Sequence, residues 1–215
     1  MTKEHTQLEW ILFNDSVLLQ PMFSNKKLFE SGDKRVSHKV LKETFTMDEY
    51  EDYKVGKIRT KPLVHSFIRQ KCLGMEYGEY MELFGQGVEH VEGITYILHA
   101  LRHHHYKLAV LTNEGEEFAK IKLEHSMLQN YFKKQVSSGN IGILQPEKGF
   151  YERALKILDA RAEKCMLIDS DIKNLESAKD VGMDYIRYEN PEQLEQKLRE
   201  RSFIEKEGNI KMDYL

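Results

Sequence analysis

No apolar run in this sequence approaches the roughly 18 residues that a membrane-crossing helix needs, so no spanning segment is expected. Cysteine is scarce. Cys72 and Cys165 stand far apart and form no CxxC pair, which excludes a disulfide framework and leaves two buried thiols in a reducing compartment as the expectation. Proline occurs four times, and no repeat or low-complexity tract marks a linker. Neither charge sign dominates: 32 Lys and Arg against 35 Asp and Glu leave a net charge of −3. That balance gives no field for nucleic acid or anionic lipid. Met1-Thr2-Lys3-Glu4-His5 leads into no apolar stretch, so no secretory leader is expected and the cytoplasm is the expected location. There is no GxxxxGKS/T and no GxSxG, and neither cysteine begins a CxxxxxR loop, since Gly78 and Asp171 stand six residues on. The common alternative routes to hydrolysis are absent.

What is present is a globular composition. The chain is 40% hydrophobic with ten Phe and eleven Tyr, too rich for a disordered protein. Its 215 residues correspond, at about 150 per domain, to one domain carrying a smaller insert.

Leu8-Glu9-Trp10-Ile11-Leu12-Phe13 is an apolar run that ends at Asn14-Asp15-Ser16, a buried strand followed by a polar turn. Residues 21–93 show no strand alternation and read as a helical insert. Within it, Thr46-Met47-Asp48-Glu49 has the form of a capping box, opening a helix that stops near Gly56. Pro62 suits a first helical position, with Leu63, Phe67, Ile68 and Cys72 on one face. A further helix is expected over 77–84, ended by Gly85 and Gly87. Met22, Phe23, Tyr50, Tyr53, Tyr77 and Tyr80 could line a pocket, but aromatics at helical positions are more often core.

From Ile94 the pattern becomes alternating. Ile94, Ile97, Leu98 and Leu101 mark an amphipathic helix. Leu108-Ala109-Val110-Leu111 is a strand ending at Thr112-Asn113, followed by a helix carrying Phe118, Ile121 and Met127 and a strand over 134–137. Phe150, Ala154, Leu155 and Leu158 stripe the next helix, and Cys165-Met166-Leu167-Ile168 is a strand ending at Asp169-Ser170-Asp171. A helix with Leu175, Ala178 and Val181 closes at Gly182, then comes a strand at Tyr185-Ile186 and a helix capped by Asn190 and Pro191. Such alternation predicts an α/β, doubly wound, Rossmann-like parallel sheet. The expected division is a core of 1–20 plus 94–201, a helical cap of 21–93 and a tail of 202–215. Ligands on such sheets bind outside the carboxyl ends of the strands, so the three polar strand ends should converge.

The strand ends, with Gln145-Pro146-Glu147 and Asn174, resemble the haloacid dehalogenase-like superfamily, mostly Mg-dependent phosphatases. The chain is most similar to the group with a helical cap after the first strand, which includes the phosphatase domain of soluble epoxide hydrolase. Members carry DxD at the first strand end, Thr or Ser at the second, a Lys that usually precedes Pro, and an acidic pair at a later strand end. What the resemblance implies for chemistry is loss. The nucleophilic Asp is Asn14, the general acid and base is Ser16, the Lys is Gln145, and the second acid of the metal-binding pair is Ser170. A carboxamide is a far weaker nucleophile than a carboxylate. A serine hydroxyl does not titrate near neutral pH. Removing one electrostatic stabiliser costs about 10²–10³ in rate.

Thr112 and Asn113 match the phosphate-binding strand end, so they are the expected ligand-binding residues. Asp15, Asp169 and Asp171 are the carboxylates that could still hold Mg through shifted geometry. The plainer expectation is no cofactor, with Asp169 accepting from loop amides and Asp171 capping the next helix. Lys148 is a surface lysine that would have to swing in to replace the lost cation. His103-His104-His105 ends a helix, where imidazoles favour the dipole. Gly85-Gln86-Gly87-Val88-Glu89-His90 is a broken GxGxxG that follows a helix and is no dinucleotide site. The reading is a degenerate-site pseudo-phosphatase that binds or regulates through its cleft, its cap or a homodimer. Its partner is a protein or a small phosphorylated ligand, not nucleic acid or membrane. The alternatives are a phosphohydrolase with relocated carboxylates and a structural subunit with a vestigial cleft.

Overall fold

The computed structural model describes residues 8–22 and 38–205. Five strands, β1 (Trp10–Asn14), β2 (Lys107–Thr112), β3 (Lys134–Ser137), β4 (Cys165–Asp169) and β5 (Asp184–Arg187), form one sheet in the order β3-β2-β1-β4-β5. Every pair is parallel; Phe13 sits opposite Val110 on one side and Ile168 on the other. The sheet is the doubly wound α/β arrangement expected from the alternation.

The three central strands read as unbroken apolar runs because both their faces are buried. Ile11, Phe13, Leu108, Val110, Met166 and Ile168 enter one core cluster, whereas Trp10, Leu12, Ala109, Leu111, Cys165 and Leu167 enter the other. Successive side chains of a strand point to opposite faces, so one run supplies both cores. The first core is covered by α6 (Ile94–His103) and by α11 (Pro191–Glu200), the second by α9 (Lys148–Leu158) and α10 (Ile172–Asp180). Asn190 caps α11, its side chain accepting from Gln193 N.

Between β1 and α6 the described elements are helical: α1 (Asp15–Leu18), α2 (His38–Lys42), α3 (Asp48–Lys54), α4 (Thr60–Gln70) and α5 (Tyr77–Gln86). Tyr50, Tyr53 and Tyr80 are core residues here, packed with Leu63, Phe67 and Phe84. Phe118 of α7 (Glu116–His125) joins this cluster from the sheet side. No helix among the described residues is long and apolar enough to cross a membrane.

Several local expectations are corrected. The Thr46–Glu49 box does not form: Met47 is the N-cap of α3, Thr46 Oγ1 donates to Glu43 O, and Glu49 accepts from Ser66 and Gln70. Pro62 is the third residue of α4 rather than its first. Cys72 is exposed, lying beyond α4 with φ 51, and Val64 takes its place on the buried face. Met127 is 73% exposed past the end of α7, and Leu123 is buried instead. Helix α5 runs through Gly85 to Gln86. Phe23 and the tail beyond Glu205 lie outside the described residues.

Candidate functional site

The strand order reverses direction at β1, so the ends of β1, β2 and β4 border the crevice where ligands of such sheets bind. Asn14 ends β1 in extended backbone, and its side-chain Oδ1 accepts from Ser16 N at 3.0 Å, capping α1. Its Nδ2 donates to Gln145 Oε1 at 3.3 Å, and Tyr151 Oη donates to the same oxygen at 3.3 Å. Asn14 and Gln145 are both buried. The positions expected to carry a carboxylate and an ammonium therefore hold a neutral, mutually bonded amide pair. Gln145 Nε2 is also buried and finds no acceptor among the described residues.

Asn113 locks the Gln145 segment from the neighbouring strand end. Its Nδ2 donates to Gln145 O at 2.8 Å, and its Oδ1 accepts from Gln145 N at 2.7 Å. The Thr112 hydroxyl, buried, donates to Asp15 Oδ2 at 2.6 Å. Both expected ligand-binding side chains thus make internal hydrogen bonds.

At the end of β4, Asp169 Oδ1 accepts from Asp171 N at 2.9 Å and Oδ2 from Asn174 Nδ2 at 2.8 Å. Burial is the largest influence on Asp169 and pushes its carboxyl up to about 6, against the pull of these donors and of the Ser170 amide. Asp171 caps α10 by accepting from Lys173 N at 2.9 Å. Ser16 and Ser170 are exposed.

Asp15, Asp169 and Asp171 are not gathered as metal ligands. Among the described residues no group of three or more His, Cys, Asp or Glu side chains is placed to hold a metal ion. Each Asp169 oxygen already takes an N–H donor, and Asn14 and Ser170 offer no charge. With Asn14 and Ser170 neutral, Asp169 is the one carboxylate left at the positions that the resemblance assigns to Mg²⁺, an ion usually held by one or two carboxylates in near-ideal octahedral oxygen geometry. Lys148 is exposed beside Glu152 at 3.7 Å, away from the Gln145 side chain's bonds to Asn14 and Tyr151. Helix α6 ends at His103, and His105 turns away at φ 65.

Two groups escape a sequence reading. Glu114, 1% exposed, accepts from Tyr50 Oη at 2.9 Å on both oxygens and from Lys122 Nζ at 2.6 Å. Lys122 also stands 3.8 Å from Asp15 Oδ2. Burial opposes the Lys122 charge, but the carboxylates of Glu114 and Asp15 hold its pKa above the ordinary lysine value. The signal for it lies in α7: Lys122 is four residues after the buried Phe118, on the apolar face where a solvated lysine does not belong.

The helices after β1 also touch α8 (Ser138–Ile141), the short helix that follows β3. Ser138 Oγ donates to Lys54 O at 2.6 Å, and a Cβ on Gly56 would lie 2.2 Å from Gly139 O.

A parallel, doubly wound sheet with its polar residues at the crevice of β1, β2 and β4 defines an α/β protein of the hydrolase type seen in haloacid dehalogenases. The model of the haloacid dehalogenase-like hydrolase family matches residues 33–188, so the chain belongs to that family. It is 25% identical to the pyrimidine 5'-nucleotidase of Escherichia coli over 130 residues, 53% of this chain and 57% of that protein. With the phosphoglycolate phosphatase of Aquifex aeolicus it shares 32% over 89 residues, 41% of this chain and 42% of that protein. The alignments span about half the length of these relatives.

Among solved structures, a family enzyme of Bacteroides thetaiotaomicron in complex with magnesium and inorganic phosphate gives a TM-score of 0.66 at 14% identity, covering 85% of this chain and 95% of that one. The L-2-haloacid dehalogenase of Xanthobacter autotrophicus with chloropropionic acid covalently bound gives 0.59 at 12%, covering 93% and 85%. At these identities the likeness establishes the fold.

Proposed function

We propose that this chain is a catalytically inactive, phosphatase-like member of its family that acts as a binding or regulatory module, with residues 21–93 as a helical cap over the strand ends. The observation that carries this reading is the Asn14–Gln145 amide pair. A covalent phosphoryl transfer needs a nucleophile with an available, electron-rich oxygen and a positive group to neutralise the phosphoryl charge. Asn14 Oδ1 is uncharged and committed to the Ser16 amide, and Gln145 carries no charge. Ser16 cannot act as the acid, and Asp169 is left without the second carboxylate that Ser170 replaces. These are losses within one catalytic unit, so a single one disables the whole.

The test is hydrolysis of aryl phosphates with Mg²⁺ by protein cleared of contaminating phosphatase. No turnover above background is expected. Robust turnover abolished by Asp15→Ala would instead establish a phosphohydrolase with relocated carboxylates. The combined variant Asn14→Asp, Ser16→Asp, Gln145→Lys and Ser170→Asp is expected to gain Mg-dependent hydrolysis. A folded variant without it would mean that the loops have left hydrolase geometry.

A further inference from the structure

Thr112 Oγ1 donates to Asp15 Oδ2 at 2.6 Å, across 97 residues of chain, and Lys122 Nζ approaches the same oxygen at 3.8 Å. The Asp15 and Lys122 side chains are 21% and 13% exposed and Thr112 is buried, so the three groups meet at the strand ends with the hydroxyl on the inside. A hydroxyl that donates to one carboxylate oxygen, with an ammonium in ion-pair range of the same oxygen, is the pairing that a small oxyanion would use.

We propose that Asp15 is a built-in anion whose carboxylate fills an oxyanion site made by Thr112 and Lys122, holding the strand ends shut to inorganic phosphate and phosphate monoesters. This rests on the inactive, binding-module reading and sharpens it. Of the two kinds of partner expected from the sequence, a phosphorylated small molecule is the one this arrangement refuses.

Charge and hydrogen bonding act in the same direction. Lys122 is already held by Glu114 at 2.6 Å, so Asp15, Glu114 and Lys122 together carry one net negative charge. An arriving phosphate would meet that charge and would have to displace Asp15 from the Thr112 hydroxyl. Removing the Asp15 carboxylate brings the cluster to neutrality and releases the Thr112 O–H. The ammonium remains positioned by Glu114, whose own place is fixed by Tyr50.

The experiment is a metal-free titration of the full chain with inorganic phosphate, read by calorimetry and by ³¹P line broadening. Wild type is expected to bind only in the upper millimolar range or not at all. Asp15→Ala should bind at least tenfold more tightly, and Asp15→Asn, which loses the charge but keeps the bulk, should gain less. Adding Thr112→Val or Lys122→Met to Asp15→Ala should erase the gain. Equal phosphate affinity in wild type and Asp15→Ala, no binding in either, or a gain that survives both second substitutions would each overturn the proposal. If Asp15→Ala does not fold, Asp15→Asn decides by the same comparison. Inorganic phosphate is not turned over, so this result is independent of the hydrolysis assay: activity in wild type would end the inactive reading without changing the titration.

Discussion

Asp169 is the residue at which burial and hydrogen bonding disagree most plainly. Its carboxyl rises from 3.8 to about 6 because desolvation outweighs the donors from Asp171, Asn174 and Ser170. The folded protein therefore binds more protons than the unfolded chain between these two values, and stability falls as pH rises through that window. The loss is about 2–3 kcal/mol and is complete above the folded value. Asp169→Asn lacks this dependence. In urea unfolding, its stability relative to wild type is expected to improve by about 2 kcal/mol between pH 4 and pH 7.5. A constant difference across that range would mean that Asp169 stays ionised in the fold. Glu114 makes the opposite case, since its charge is matched. Glu114→Ala leaves Lys122 buried beside Asp15 alone, and breaking such a pair costs about 3–5 kcal/mol. Glu114→Leu with Lys122→Met should cost less than Glu114→Ala, because no charge is left stranded; denaturant midpoints with unchanged slopes provide the check.

At the scale of elements, the contact between the helical stretch and the strand-end loops depends on backbone touching backbone. Gly56 follows α3 with φ +76, and a Cβ there would lie 2.2 Å from Gly139 O. Gly56→Ala combines left-handed strain with a backbone clash and is expected to cost about 2–4 kcal/mol. Gly74, with nothing within 4 Å of its added Cβ, should accept Ala within about 0.5 kcal/mol. Thermal unfolding of the two variants separates them. The strands were the legible elements: 134–137 is read from the sequence with the bounds that β3 has, and the others differ by a residue or two, because unbroken apolar runs and flanking polar ends are local signals. The failures are also local in origin. The Thr46 hydroxyl has a nearer acceptor in the Glu43 carbonyl, so a motif with the right spacing forms no box. Cys72 and Met127 continue a helical stripe on paper, but each sits just past a helix end at positive φ, where the period no longer applies. Nor could spacing show that Asn14 would meet Gln145 or that Lys122 would reach Asp15, because those pairings are set by strand order and by the helices folded against the loops. The substituted motif positions were readable one at a time; the contacts that those side chains make were not.

The whole molecule is stitched by clusters that cross its layers. β1 lies at the centre of the sheet and feeds both cores, Trp10 entering one and Phe13 the other. The helical stretch has its own aromatic cluster, yet Phe118 of α7 stacks on Phe84 at 4.0 Å between ring centroids and meets Tyr53 edge-on at 5.1 Å. Tyr50 reaches the buried Glu114 beside the second strand end, and Phe118 N donates to Tyr53 Oη. Aromatic pairs of this kind contribute about 0.5–1.5 kcal/mol each beyond their buried area, and a phenol bonded to a buried carboxylate about 1.5–3. These contacts tie the helical stretch to α7 and to the second strand end, so helical stretch and sheet are expected to unfold as one unit. The single tryptophan makes the test direct, since Trp10 is 6% exposed in the central strand while α3, α4 and α5 hold 28 of the 91 α-helical residues described, so their separate opening would remove about a third of the far-ultraviolet helical signal. In urea, Trp10 fluorescence and helical circular dichroism are expected to share one midpoint and one slope. Phe118→Ala should lower that shared midpoint, by about 3–5 kcal/mol in stability, without splitting it. Loss of helical signal before any change at Trp10 would instead show a helical layer that opens independently of the sheet.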